Sequence, residues 1–200
     1  TIIIVNDGSD AKCASIFNVI LHQPGLIVLT HEKNKGKGAA LKTGLNYAYS
    51  NLINILGVVT ADGDGQHAAN DIIAVGEQLE TDPNSLIIGV RDFSEKTVPW
   101  RSQFGNLLTR KIFALFFGLK ISDTQTGLRA IPKKLIPSLL KIKPNHYEFE
   151  LEMLLKCKKN DQQIIEKKIH TIYFDQKQYS HFKPINDSFR IYLTLFKHFF

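Results

Sequence analysis

Asp62 and Asp64 stand two residues apart in the run Thr60-Ala-Asp62-Gly-Asp64-Gly-Gln66-His67, directly after the apolar stretch at 55–59. Two carboxylates at this spacing on a glycine-rich turn can point the same way and hold a hard divalent cation against a diphosphate. His67 could supply a further ligand or touch the anionic group itself. A solvent turn is the plain alternative, because Asp-Gly-Asp-Gly also favours one. A calcium loop is excluded: Gln66 takes the third ligand place, His67 replaces the required glycine, and Ile73 stands where a bidentate Glu belongs.

Two further segments could take part. In Val5-Asn6-Asp7-Gly8-Ser9-Asp10, Asp7 can accept from a base N–H or a ribose hydroxyl, and Gly8 lets the backbone come close to a nucleotide. Helix capping by Ser9 or Asp10 is compatible with that use. In Asn34-Lys-Gly36-Lys37-Gly38-Ala-Ala-Leu41-Lys-Thr-Gly44, glycines beside lysines at a helix start can cradle phosphate through backbone N–H groups. This run is no Walker A loop, which needs Gly-Lys followed by Ser or Thr. Nor is it a dinucleotide fingerprint, because Leu41 occupies the last glycine place.

The elements that must position these residues follow from hydrophobic period. Short β-branched runs at 2–5, 26–29, 55–60 and 86–90 alternate with amphipathic stretches, the pattern of an α/β fold whose mostly parallel sheet carries helices on both faces. In such sheets ligands bind beyond the carboxyl ends of strands, where Asp7 and Asp62 fall. Cys13, Ile16, Phe17 and Ile20 predict a helix near 11–22 with one buried stripe, and Leu41, Leu45, Ala48 and Leu52 predict a second. Ile72, Val75 and Leu79 predict a third, capped by Asn70 or a neighbour, with Asp71 in its first turn. Over 99–119, Phe104, Leu107, Leu108, Ile112, Leu115 and Phe116 share a broad face edged by Arg101, Arg110 and Lys111, which reads as an amphipathic helix with a basic border. A further helix is expected over 147–159, where Glu148, Glu150 and Glu152 with Lys156 and Lys159 read as a solvated face. Residues 164–174 read as an edge strand.

Composition sets outer limits. With 200 residues, 44% of them hydrophobic, the chain can bury one sizeable core but not two comfortable ones. Lys and Arg number 25 against 19 Asp and Glu, for a net charge of +6, which suits phosphate-bearing substrates, acidic lipid or nucleic acid. Nucleic acid is disfavoured, because the aromatics sit inside apolar stripes rather than interleaved on a basic sheet. Cys13 and Cys157 form no CxxC pair, hence neither a disulfide framework nor a zinc site, which fits a reducing compartment. No stretch reaches the ~18 uninterrupted apolar residues of a membrane span, and no charged-then-apolar leader precedes the first strand. The chain therefore reads as cytoplasmic, soluble or peripheral at the inner membrane face. Residues 1–5 read as a strand buried from its first residue, which predicts an upstream strand and helix to pair with it and cover it.

Taken in order, the Asn6–Ser9, Asn34–Gly44 and Asp62–His67 motifs, then Gly89-Val-Arg91 and Asp123-Thr-Gln-Thr-Gly-Leu-Arg129, resemble the family 2 inverting glycosyltransferases of GT-A fold. Within that family the dolichyl- or polyprenyl-phosphate sugar synthases are the most similar branch. The resemblance covers about residues 1–190. It implies a nucleotide-sugar-binding, Rossmann-like domain with a donor half at 1–95 and an acceptor half at 96–200. It also implies transfer from a UDP- or GDP-sugar to a lipid phosphate or saccharide, assisted by Mg²⁺ or Mn²⁺. By matching position, Asp7 with Gly8 and Ser9 would contact the nucleotide, and Lys37 and Gly38 its phosphates. Asp62 and Asp64 would hold metal and donor, continued by Gln66 and His67. Arg91 would lie near donor and acceptor phosphates, Asp123 would be the catalytic carboxylate, and Gln125, Thr126, Gly127 and Arg129 would form the acceptor loop. Ser180, next to His181, is a further acceptor candidate, against an ordinary loop.

The chain departs from the family pattern in places. Asn6-Asp7 replaces two adjacent aspartates, Gly63 replaces a common alanine, and the family's first strand and the membrane helices of some members are missing. Residues 188–200, with Phe196, Phe199 and Phe200 beside Arg190, Lys197 and His198, could lie on a membrane surface or pack back on the sheet. Toward a phosphate acceptor Asp123 would orient; toward a hydroxyl it would be the general base. Plainer roles also exist, a turn cap for Asp123 and a surface pair with Asp92 or Glu95 for Arg91. The rival functions are a nucleotidyltransferase, which would release pyrophosphate, and a non-enzymatic module that binds a membrane surface.

Overall fold

The structure, a computed structural model, describes residues 1–91, 100–170 and 172, without the side chains of 100–105 and 108. Its first half alternates strand and helix: β1 (Ile2–Asn6), a 3-10 turn at Ala11–Cys13 leading into α1 (Ala14–Leu21), β2 (Leu26–Thr30), α2 (Lys37–Asn51), β3 (Gly57–Thr60), α3 (Ala69–Thr81) and β4 (Leu86–Arg91). Then come α4 (Trp100–Phe117), β5 (Arg129–Pro132), a 3-10 turn running into α5 (Ile136–Leu139), α6 (Glu148–Lys159) and β6 (Ile164–Ile169). The strand and helix periods read from the sequence match most of these elements to within a few residues.

The sheet is mixed rather than mostly parallel. β3, β5, β4 and β6 lie side by side in that order, β5 antiparallel to both neighbours and β4 parallel to β6. β1 and β2 form a separate parallel pair. α2 packs against both β1 and β3 and so ties the two sheets together. Hydrophobic period missed β5 because it is only four residues long and closes on Pro132, which has no N–H to continue a ladder. Gly57 is required opposite it, since a Cβ there would enter the carbonyl of Ile131.

Leu86 through Val90 are all buried, which explains why β4 reads as a continuous apolar run. Leu86, Ile88 and Val90 face a core shared with Leu45, Phe113, Ile131, Leu139 and Phe149. Ile87 faces the other side, against Val75, Leu79, Leu128, Ala130 and Ile169. Both halves of the chain thus contribute to the larger cluster.

Three helix expectations are corrected. α1 buries none of its residues, and Ile16 is 58% exposed, because only the two-stranded β1–β2 pair lies beneath it. α3 begins at Ala68 without a side-chain cap. Asp71 turns inward instead and accepts from His170 N and Nδ1 at 3.0 Å each, joining α3 to the end of β6. On α6, Glu148 and Glu150 are buried rather than solvated. No described helix is long and apolar enough to cross a membrane.

Candidate active site

The loops that leave β1, β2 and β3, and the one that enters β5, supply the expected site residues. After β1, Asn6 Oδ1 accepts from Ser9 N at 2.9 Å in a tight turn through Gly8. Gly8 sits at φ +69°, and a Cβ there would collide with the backbone of Lys33 and Asn34, so this turn and the loop after β2 are in direct contact. Neither Ser9 nor Asp10 caps the helical turn that follows.

Asp7 is engaged by the protein itself. Its Oδ1 meets His31 Nδ1 at 2.6 Å and Lys35 N at 2.9 Å, and its Oδ2 accepts from Gly36 N at 2.8 Å. Burial alone would raise this carboxyl, but the His31 bond and the two backbone N–H groups outweigh it and hold the pKa below the usual value. Asp7, expected at the base or ribose, holds residues 35 and 36 in this structure. His31 had carried no expectation.

α2 starts at Lys37, one residue after Gly36 at φ +100°. Gly36 and Gly38 face protein as well as the helix start. A Cβ on Gly36 would strike His146, and one on Gly38 would strike Phe149 and the His146 carbonyl. Lys37 reaches across from this start, its Nζ 2.8 Å from Asp62 Oδ1 and 2.8 Å from Glu150 Oε2. Burial would lower the ammonium, yet Glu150 and then Asp62 overrule it and raise the pKa. For Asp62 burial works upward, and nearby His67 and Lys37 prevail and push it below the carboxylate range. Glu150 is the residue that sequence reasoning missed, because it lies in a run with Glu152, whose i, i+4 and i, i+7 spacing to Lys156 and Lys159 makes the segment read as an exposed helix face.

Asp62, Asp64 and His67, the expected metal ligands, make other contacts in this structure. Asp62 points to Lys37, while exposed Asp64 folds back, its Oδ1 accepting from Gln66 N at 3.0 Å. His67 Nε2 lies 3.7 Å from Asp62 Oδ2, beyond hydrogen-bond reach. Among the described residues no group of three or more His, Cys, Asp or Glu is arranged to hold a metal ion.

Along 123–129, Asp123 is fully buried and gripped by the Arg91 fork, Nε to Oδ2 at 2.7 Å and Nη2 to Oδ1 at 3.1 Å. Gln125 N adds a bond to Oδ1 at 3.1 Å. Arg91 thus has a buried partner in Asp123. Asp92, Glu95, Ser180, His181 and 188–200 lie outside the described residues.

Of the expected acceptor loop, Gln125 is exposed. Thr126, Gly127 and Arg129 are buried and form a floor rather than a wall. Arg129 donates to Thr126 O at 3.1 Å and Glu150 O at 2.6 Å, and its charge lies close enough to Glu150, Asp123 and Asp62 to interact with all three. Gly127 O accepts from Thr60 Oγ1 at 2.9 Å, and the Gly127 Cα rests against the Asp62 carboxylate. Gly127→Ala would drive a methyl group into that carboxylate. Loss of about 1–3 kcal/mol in urea unfolding is expected, and wild-type stability would contradict the contact.

The positions of these residues meet independent likenesses. Residues 1–140 match the model of glycosyl transferase family 2. A UDP-N-acetylglucosamine–dolichyl-phosphate N-acetylglucosaminyltransferase of Methanococcus voltae is 38% identical over 152 residues, which are 74% of this chain and 60% of that protein. An uncharacterized protein of Methanocaldococcus jannaschii is 34% identical over 86% of this chain and 70% of its own length. In fold, the chain is similar to glucosyl-3-phosphoglycerate synthase from Mycobacterium tuberculosis, solved in complex with UDP and with phosphoglyceric acid. The TM-score is 0.70 at 19% identity, covering 98% of this chain and 67% of that one. The chain thus spans only part of the length of these proteins.

Proposed function

The chain belongs to glycosyl transferase family 2, and from that premise we propose that it is the catalytic core of an inverting enzyme moving a sugar from a UDP- or GDP-sugar to a polyprenyl phosphate. The observation that carries this reading is the junction at Asp62, where the start of α2, the turn after β3 and the loop into β5 meet through Lys37 and Gly127. That junction lies beyond the end of β3, where α/β sheets take their ligands.

The acceptor class is argued from the carboxylates. Asp123 is fully engaged by Arg91 and Gln125, and Lys37 bridges Asp62 and Glu150. A hydroxyl acceptor would need a carboxylate ready to take its proton, and these three are committed to cations. A phosphate acceptor already carries negative charge and needs no such base. Its oxygen bonds to the anomeric carbon as the bond from that carbon to the nucleotide's phosphate oxygen breaks, and attack from the opposite face inverts the centre. Arg91, its plane set by Asp123, is proposed to meet the acceptor phosphate, with exposed Gln125 beside it. At the start of α2, Lys37 N and Gly38 N are proposed to meet the donor diphosphate, since Lys35 N and Gly36 N go to Asp7 and Ala39 N goes to Asn145 O.

Asp62 and Asp64 offer hard oxygen donors that fit Mg²⁺ or Mn²⁺ when diphosphate and water fill the remaining places, without His67. Such a cation would offset charge on the departing diphosphate. Calorimetric titration of UDP and GDP with and without Mn²⁺ tests the assignment. Asp64→Ala is expected to weaken the Mn²⁺-dependent binding about tenfold or more. Unchanged metal-dependent affinity would remove the aspartate pair from the mechanism.

A further inference from the structure

Asp7, His31 and Thr43 form a partly buried relay: Thr43 Oγ1 lies 2.9 Å from His31 Nε2, and His31 Nδ1 lies 2.6 Å from Asp7 Oδ1. The three come from different elements, the end of β1, the residue after β2 and the second turn of α2. With the carboxylate ionised, the imidazole proton belongs on Nδ1, and Nε2 can accept from the Thr43 hydroxyl. The opposite side of Asp7 holds Lys35 N and Gly36 N, the two amides just ahead of α2. The contacts therefore close a ring, because Thr43 belongs to the same helix whose start Asp7 fixes.

We propose that His31 and Thr43 are positioning residues that hold Asp7, and through it residues 35 and 36, so that the start of α2 presents Lys37 N and Gly38 N to an anionic diphosphate. The idea rests on the reading of that helix start as the donor site. Several features favour such a role. Gly36 sits at φ +100° and opens α2 without a side-chain cap, so no local side chain fixes the entry to the helix. Residues 35 and 36 are instead fixed from a distance by the one carboxylate. An aspartate held on one side only could turn away. Held also by a buried imidazole, itself met by Thr43, it has one orientation.

The test measures backbone amide exchange in the ligand-free protein and the affinity for UDP and GDP, each with Mn²⁺. His31→Leu is expected to speed exchange at Lys35 and Gly36, and to weaken nucleotide binding about tenfold, while the amides of β4 keep their wild-type protection. His31→Asn places an amide donor where Nδ1 was and restores most of both. Thr43→Ser behaves as wild type, and Thr43→Val falls between wild type and His31→Leu. Unchanged exchange at Lys35 and Gly36 in His31→Leu overturns the relay. So does equal loss of protection in β4, or loosened amides with unaltered nucleotide affinity. If wild type binds neither UDP nor GDP, the donor-site reading falls, while the exchange measurement, which needs no ligand, still decides whether His31 governs Asp7.

Discussion

Replacing Lys37 with methionine lowers stability by about 1–3 kcal/mol and abolishes nucleotide binding, as expected when the cation is removed from a partly buried bridge. Lys37 is the cation between Asp62 and Glu150, and Glu150 is only 6% exposed. Without the ammonium two carboxylates face each other with no charge between them, and the Asp62 side chain loses the contact that aims it. Adding Glu150→Gln should recover part of the loss, because it removes one of the two stranded charges. Urea unfolding of the single and double variants reads this directly. A Lys37→Met protein as stable as wild type would mean that the bridge contributes nothing.

The same pair has a defined pH dependence. Asp62 has a folded pKa below its ordinary 3.8, so its stabilisation is present above that value and is lost as pH falls through the lower folded one. Lys37 is shifted above 10.5, so its share is present below 10.5 and disappears only as pH rises through the raised value. The stability gap between wild type and Lys37→Met should therefore stay flat from about pH 5 to 9 and narrow in acid.

Arg91→Ala lowers kcat/KM for transfer to a polyprenyl phosphate by about 10²–10³, the scale of a lost charge-stabilising donor. It also leaves Asp123 buried without its fork. Asp123→Asn is the more informative companion. If the carboxylate only holds Arg91, the asparagine enzyme loses about tenfold in rate yet keeps the acid limb of its pH–rate profile, because that limb belongs to the acceptor phosphate. A general base would take the limb with it. Disappearance of the acid limb in Asp123→Asn would restore Asp123 as the base and reopen the choice of acceptor.

How much of this could be read from the chain alone depended on range. Apolar period located β1 to β4 and the helices, since each signal lies within a dozen residues. The motifs at 6–9, 34–44, 62–67 and 123–129 fall on loops at strand ends, three after strands and one before β5. Partnerships across the chain were not legible. Lys37 and Glu150 are 113 positions apart, and the neighbouring Glu152–Lys156 spacing made the whole acidic run read as solvated. His31 carried no pattern at all; its place just beyond the end of β2 was the one available clue. Asp123 and Arg129 carried expected roles but no sign of burial, which depends on β5, a strand too short to leave a periodic signature.

The reversed direction of β5 also bears on how such a chain can diverge. Arg129, its first residue, lies opposite Thr60 and Ile88, so the connection arriving from α4 reaches the same rim that β3 and β4 depart from. Residues 118–120, largely exposed, can lengthen or shorten without shifting the register of any strand, whereas 121–128 are pinned by buried Ile121, Asp123, Thr126 and Leu128. The turn at 133–135 emerges at the far edge, so divergence at the rim itself is confined to one short exposed stretch next to a fixed, buried hinge.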